Sequence, residues 1–120
     1  MHELGIITDI FTILDDVAEA NQLVKINTVN LKLGRLQQIV PEMLHFAFDT
    51  VAQGTKAEGA ALEVEYIPIR MMCQECGQEF VVEDQIYLCP ACSGTRLTML
   101  TGMEIILESV EGDQHESETE

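Results

Sequence analysis

Four cysteines in two pairs limit what this chain can fold into more than any other feature. Cys73-x-x-Cys76 and Cys89-x-x-Cys92 are separated by twelve residues. Two residues between thiols let both sulfurs of a pair reach one ion while backbone N–H groups cap them. Two such pairs supply the tetrahedral four-sulfur shell that zinc prefers. Gly77 follows the first pair and Ser93-Gly94 the second, where tight turns call for positive φ. Pro90 stiffens the second pair. Residues 69–101 otherwise hold only short polar and apolar stretches, too brief to bury a core. The metal therefore has to supply folding free energy, and structural zinc binds small peptides with about 10–16 kcal/mol.

Other uses of four cysteines are weaker. Two disulfides belong to oxidising compartments and fit the paired spacing poorly. A redox-active Cys-x-x-Cys normally opens a helix, and neither pair does so here. Iron in place of zinc stays open, because ligand softness alone does not separate the two metals.

The rest of the chain reads as an α+β unit. Leu4, Ile7, Ile10, Phe11, Leu14, Val17 and Ala18 recur at three- and four-residue steps, predicting an amphipathic helix from about Leu4 to Gln22. Lys25 to Leu33 is rich in β-branched and aliphatic residues and reads as a strand ending at Gly34. Pro41 suits the first turn of a second helix, with Leu44, Ala47, Phe48 and Val51 on one face and Gly54 as its stop. Leu62, Val64 and Tyr66 alternate with Glu63 and Glu65 in a half-buried strand. After the cysteine segment, Met103 to Val110 forms a last strand that returns to the sheet.

Six basic residues against 21 acidic ones give a formal net charge of −15. Such a chain lacks the cationic groups that displace counterions from phosphates, so neither nucleic acid nor an anionic membrane surface is an expected partner. No apolar run approaches the roughly 18–20 residues of a transmembrane helix. The opening residues lack the basic region and cleavage site of a signal peptide, and a cytoplasmic location is expected. Glu108, Glu111, Asp113, Glu116, Glu118 and Glu120 fall in one stretch without a basic residue, read as a solvated acidic tail over 112–120. No nucleophile–base pair, phosphate-cradling glycine loop or catalytic carboxylate pair stands out, so no enzymatic activity is expected.

His2 stands out by position. The Met1 amine, the backbone nitrogen of His2 and its imidazole can close two small chelate rings around one ion. With a Glu3 atom as a further donor, the result is planar nitrogen-rich coordination suited to nickel(II) or copper(II). On chemistry alone an idle, exposed histidine is the commoner outcome. His45 and His115 read as surface residues, and Met71 and Met72 as packing against the cysteine module.

Met1-His2-Glu3-Leu4, then Leu33-Gly34-Arg35-Leu36 leading into Pro41-Glu42-Met43-Leu44-His45-Phe46-Ala47-Phe48, and the paired cysteines together resemble the HypA/HybF family of nickel metallochaperones. Gly59-Ala60-Ala61-Leu62-Glu63-Val64 and Gly102-Met103-Glu104-Ile105 extend the likeness to about Glu111. The resemblance implies two helices packed on a small mixed three-stranded sheet, with a zinc-ribbon-like module of short strands inserted before the last strand. It implies nickel(II) as transferred cargo, held by His2 with the Met1 amine and Glu3 assisting, and structural zinc on Cys73, Cys76, Cys89 and Cys92. Implied partners are a hydrogenase maturation GTPase, the large subunit of a nickel–iron hydrogenase and, in some organisms, urease maturation proteins. The chain would act as a monomer or homodimer. Expected domains are a nickel-binding unit of residues 1–68 plus 102–111, a zinc-binding unit of 69–101, and the acidic tail. Two departures are visible: Gly5 stands where Ser or Ala is common, and Ser93 directly follows the last cysteine where glycine is more usual. The reading from residues alone keeps a zinc-ribbon protein-interaction module without nickel transfer as the alternative.

Overall fold

The computed structural model describes residues 2–114; Met1 and His115 lie outside the described residues, as does the acidic tail from 115 on. Helix α1 spans His2–Ala20. It forms because Ile6, Ile7, Ile10, Phe11, Leu14 and Ala18 repeat at helical spacing and are all buried. Its register differs from the expected one at the first turn, where Leu4 is exposed and Glu3 is buried. The cause is geometric. Glu3 lies three, four and seven residues before Ile6, Ile7 and Ile10, at the centre of the apolar stripe, whereas Leu4 falls on its edge.

Strand β1 (Leu23–Gly34) follows a turn in which Gln22 adopts a φ of 57°. Val29, Leu31 and Leu33 alternate inward and are fully buried. A short 3-10 turn, Arg35–Gln37, leads to helix α2 (Pro41–Ala52), whose first helical residue is Pro41. Leu44, Ala47, Phe48 and Ala52 form its buried face, Ala52 taking the place expected of the half-buried Val51. The two helices pack together, and the Phe11 and Phe48 rings lie 5.4 Å apart at 44°.

Strand β2 (Ala61–Ile67) and the last strand, β6 (Ile105–Gln114), flank β1 in a mixed three-stranded sheet of order β2-β1-β6. Asn30 donates to Ser109 across β1 and β6, and a Cβ at Gly112 would overlap the Lys25 carbonyl, so the two backbones run very close there. Strand β6 continues through Gln114, past the Gly112 at which composition suggested that the tail begins.

The inserted segment builds a separate antiparallel sheet of order β4-β3-β5, from β3 (Arg70–Cys73), β4 (Glu79–Val81) and β5 (Leu97–Thr101). Met71 pairs with Phe80 on one side and Met99 on the other. Met71 is buried in this sheet. By contacts the chain divides into two compact units. Among the described residues, positions 2–31, 39–64 and 106–114 form one, and positions 32–38 with 65–105 form the other. Within the second unit, Gly34 N–H donates to Glu104 and Leu36 N–H to Gly102. A Cβ at Gly34 would overlap the Gly102 carbonyl. Among the described residues, no helix is long and apolar enough to cross a membrane.

Candidate functional site

The four cysteines meet at one point, with all sulfurs within 4.8 Å of one another. Strand β3 delivers Cys73 and a short loop returns Cys76; the turn before β5 delivers Cys89 and Cys92. The two knuckles are built alike. Gly77 N–H donates to the Cys73 carbonyl and Ser93 N–H to that of Cys89, each at 2.8 Å. Cys73 N–H in turn donates to Gln78, and Cys89 N–H to Gly94, again five residues on. Gln78 N–H caps the Cys76 sulfur and Gly94 N–H the Cys92 sulfur. In each knuckle the first cysteine is buried and the second exposed.

This repeat explains the turn residues. The position after each second cysteine is left-handed, with φ 80° at Gly77 and 61° at Ser93. The sequence alone pointed to Ser93-Gly94 without separating their roles. The structure puts the strained backbone on Ser93, and Gly94 is there for another reason. A Cβ on Gly94 would sit 3.2 Å from the sulfurs of Cys73 and Cys92 and 3.3 Å from Glu75 Oε1.

Sulfurs of different knuckles come close: Cys73 and Cys92 lie 3.6 Å apart, Cys76 and Cys89 3.5 Å. All four are free thiols. A redox pair would instead join the two cysteines of one knuckle. Zinc–sulfur bonds of about 2.3 Å give tetrahedral edges of about 3.8 Å, so these separations fit a single tetrahedral ion with only small shifts.

The donors are tuned unequally. Burial disfavours the Cys89 thiolate, but the N–H groups of Cys92 and Ala91 and the neighbouring thiols outweigh it and bring Cys89 down to about 7. The Gly94 N–H favours ionised Cys92, yet Cys73, burial and the other cysteines push it up to about 12. For Cys76 the Gln78 N–H also favours ionisation, and the Cys89 thiol and burial prevail to raise it. Four thiolates cannot share this small space without a cation between them.

At the other candidate site, His2 is the first residue of α1 and is exposed. Glu3 is only 6% exposed, and its Oε2 accepts a 3.0 Å hydrogen bond from Val40 N–H, just before α2. The Val40 N–H, and then Glu3's own backbone N–H, hold this carboxyl below its ordinary value against the opposing effect of burial. The Met1 amine lies outside the described residues, and His45 is exposed on α2.

Comparison with known proteins decides what these parts belong to. The family model for HypA, described as hydrogenase/urease nickel incorporation, metallochaperone, matches residues 1–112. The chain belongs to the HypA family. Hydrogenase maturation factor HypA of Rhodobacter capsulatus is 38% identical over 111 residues, covering 92% of this chain and 98% of that protein. The HypA of a Picosynechococcus species is 39% identical over the same length and shares. The solution structure of the nickel metallochaperone HypA from Helicobacter pylori superposes with a TM-score of 0.67 at 21% identity, covering 96% of this chain and all of that one. A second HypA solution structure gives 0.69 at 22% identity, covering 96% of this chain and 98% of that one. At such identities the likeness establishes the α+β HypA fold. The chain is therefore a HypA nickel metallochaperone for hydrogenase maturation, a carrier of metal and not an enzyme, with a four-cysteine metal site.

The sequence had paired the cysteines correctly into one cluster, since spacing alone brings them together. It did not show Glu3 turned inward, although that was legible: Glu3 is in phase with Ile6, Ile7 and Ile10. The roles of Ser93 and Gly94 needed the second knuckle to be laid over the first.

Proposed function

We propose that this chain carries one nickel(II) ion at its first residues, on the Met1 amine and on the backbone nitrogen and imidazole of His2, with Glu3 assisting. The carrying observation is the exposed placement of His2 at the first turn of α1. The first N–H groups of a helix have no partner inside it, so a metal taking the His2 backbone nitrogen costs α1 none of its own hydrogen bonds. The exposed His2 at the open end of α1 is accessible to a partner, as exchangeable cargo requires.

Zinc occupies Cys73, Cys76, Cys89 and Cys92 in this reading and holds the 69–101 domain together, separate from the nickel domain of 1–68 and 102–111. What supports it is the capped four-sulfur donor set at near-tetrahedral separations. Nickel passes in the cytoplasm to a maturation GTPase and onward to the large subunit of a nickel–iron hydrogenase or, in some organisms, to urease maturation proteins. The family description, hydrogenase/urease nickel incorporation, supports this reading at the level of the two enzymes.

Calorimetric titration of the zinc-loaded chain with nickel tests the reading. The wild type takes up about one nickel per chain. His2→Ala and a chain extended by Gly-Ser before Met1 both lose it and retain their zinc. Nickel bound at full strength by both variants contradicts the site. A colourless purified protein agrees with zinc, whereas a red protein that bleaches on reduction means iron.

A further inference from the structure

Glu3 occupies a place that a nickel ligand would not be expected to hold. It sits on the apolar stripe of α1, in line with Ile6, Ile7 and Ile10, and is nearly as buried as they are. Its Oε2 receives the Val40 N–H at 3.0 Å. Val40 is the N-cap of α2, in extended backbone, and offers that helix no side-chain cap. Its carbonyl accepts from Leu44, the first fully buried residue of α2. One carboxylate thus joins the first turn of α1 to the residue from which α2 starts. Both helix starts carry partial positive charge, which a buried anion there offsets. A carboxylate that left this position for a metal would strand the Val40 N–H and open the packing beneath Ile6 and Ile7.

We propose that Glu3 is a positioning residue for the nickel segment: its carboxylate stays on Val40, outside the coordination sphere, and fixes the direction in which His2 leaves the helix pair. This inference rests on the nickel site proposed above, and it deepens that reading by assigning Glu3 its manner of assistance. A pinned first turn holds the His2 backbone nitrogen and imidazole in one orientation. A frayed one has to be ordered at the moment of binding, which lowers affinity. Residue 40 takes part through its backbone alone, so the identity of its side chain carries no information about the contact.

The test uses the full zinc-loaded chain and five variants, with nickel affinity by calorimetry, the nickel absorption bands, zinc content and Tm read for each. Glu3→Gln keeps an acceptor oxygen for Val40 and should bind nickel within about threefold of wild type, with unshifted bands. Glu3→Ala should lose about tenfold in affinity, the remaining bound nickel again showing wild-type bands. Val40→Pro deletes the donor while leaving the carboxylate intact; the backbone at residue 40, with φ of −94°, has to turn by about 15–30° to reach the range that proline adopts. It should match Glu3→Ala, and the double variant Glu3→Ala/Val40→Pro should be no worse than either alone. Shifted bands and an equal loss in Glu3→Gln and Glu3→Ala would make Glu3 a ligand and overturn the proposal. Full affinity in Val40→Pro or in Glu3→Ala would overturn it as well, leaving the contact purely structural. If Val40→Pro loses zinc or fails to melt cooperatively, the Glu3→Gln against Glu3→Ala comparison decides alone. His2→Ala serves as the reference. Nickel retained there defeats the nickel site itself, whereas nickel lost there and in Glu3→Gln defeats only the positioning role.

Discussion

Replacing Gly94 by alanine should loosen the four-cysteine site without disturbing the backbone around it. Gly94 does not occupy the left-handed region, so alanine adds no conformational strain, and only the new methyl group matters. That methyl would lie 3.2 Å from each of the Cys73 and Cys92 sulfurs, where carbon atoms in good contact stand about 3.5–4.0 Å apart and sulfur is larger still. Two of the four ligands must therefore move by a few tenths of an ångström, in a site whose bond lengths tolerate about 0.2 Å. Overpacking of this kind costs about 1–3 kcal/mol. Against about 10–16 kcal/mol of binding, zinc stays bound but its affinity drops by roughly 5- to 150-fold. Competition with a chromogenic zinc chelator at fixed pH measures this directly. Gly77→Ala is the matched comparison: nothing lies within 4 Å of its added Cβ, and its cost of about 1–2 kcal/mol is that of φ 80° alone. Zinc held by Gly94→Ala within twofold of wild type would refute the reasoning that glycine is there for the sulfurs.

Other consequences are as direct. Gly5→Ala should raise stability by about 0.5–1 kcal/mol, read as a higher Tm, because Gly5 sits inside α1 with open space around its Cβ position; a lower Tm would mean that α1 begins later. Gly34→Ala should cost at least about 3 kcal/mol in denaturant unfolding, since its methyl meets the Gly102 backbone, which cannot rotate away; a near-neutral result would contradict that close approach. Zinc loading of the metal-free protein at pH 7 should release at least about two protons per ion, from Cys76 and Cys92, whose thiols are held above their ordinary values. Calorimetry in two buffers of different ionisation enthalpy counts them, and release near zero would mean that both were already thiolates. Lowering the pH below about 7 also protonates Cys89, so zinc affinity falls further there.

Much of this was legible in the sequence because periodicity is a direct image of burial. The Ile7, Ile10, Phe11, Leu14 stripe and the Val29, Leu31, Leu33 alternation specify one helix and one strand without help from the rest of the chain. The four-sulfur cluster was equally plain, since two Cys-x-x-Cys pairs have little else to do in a small acidic chain. What was not legible depended on contacts between segments distant in sequence. Glu3 read as a further donor beside a metal-binding histidine because its carboxylate was weighed by residue type and not by its phase in α1. Its partner is a backbone N–H at position 40, to which no side-chain pattern points. Strand β6 outran its expected end because acidic composition suggested a tail, while pairing with β1 requires only a backbone close enough to reach, and Gly112 supplies that. The separate roles of Ser93 and Gly94 were not legible because a turn's φ belongs to position within the knuckle, which the first knuckle defines.

Two sites of opposite character in one chain form the core of the account, and counting metals by native mass spectrometry tests it most directly. After incubation with nickel and removal of excess, the intact chain should carry one zinc and one nickel. A mild chelator should then remove the nickel and leave the zinc, and His2→Ala should show zinc alone from the start. A chain whose thiols hold no ion, or whose nickel count is unaffected by loss of His2, would contradict it.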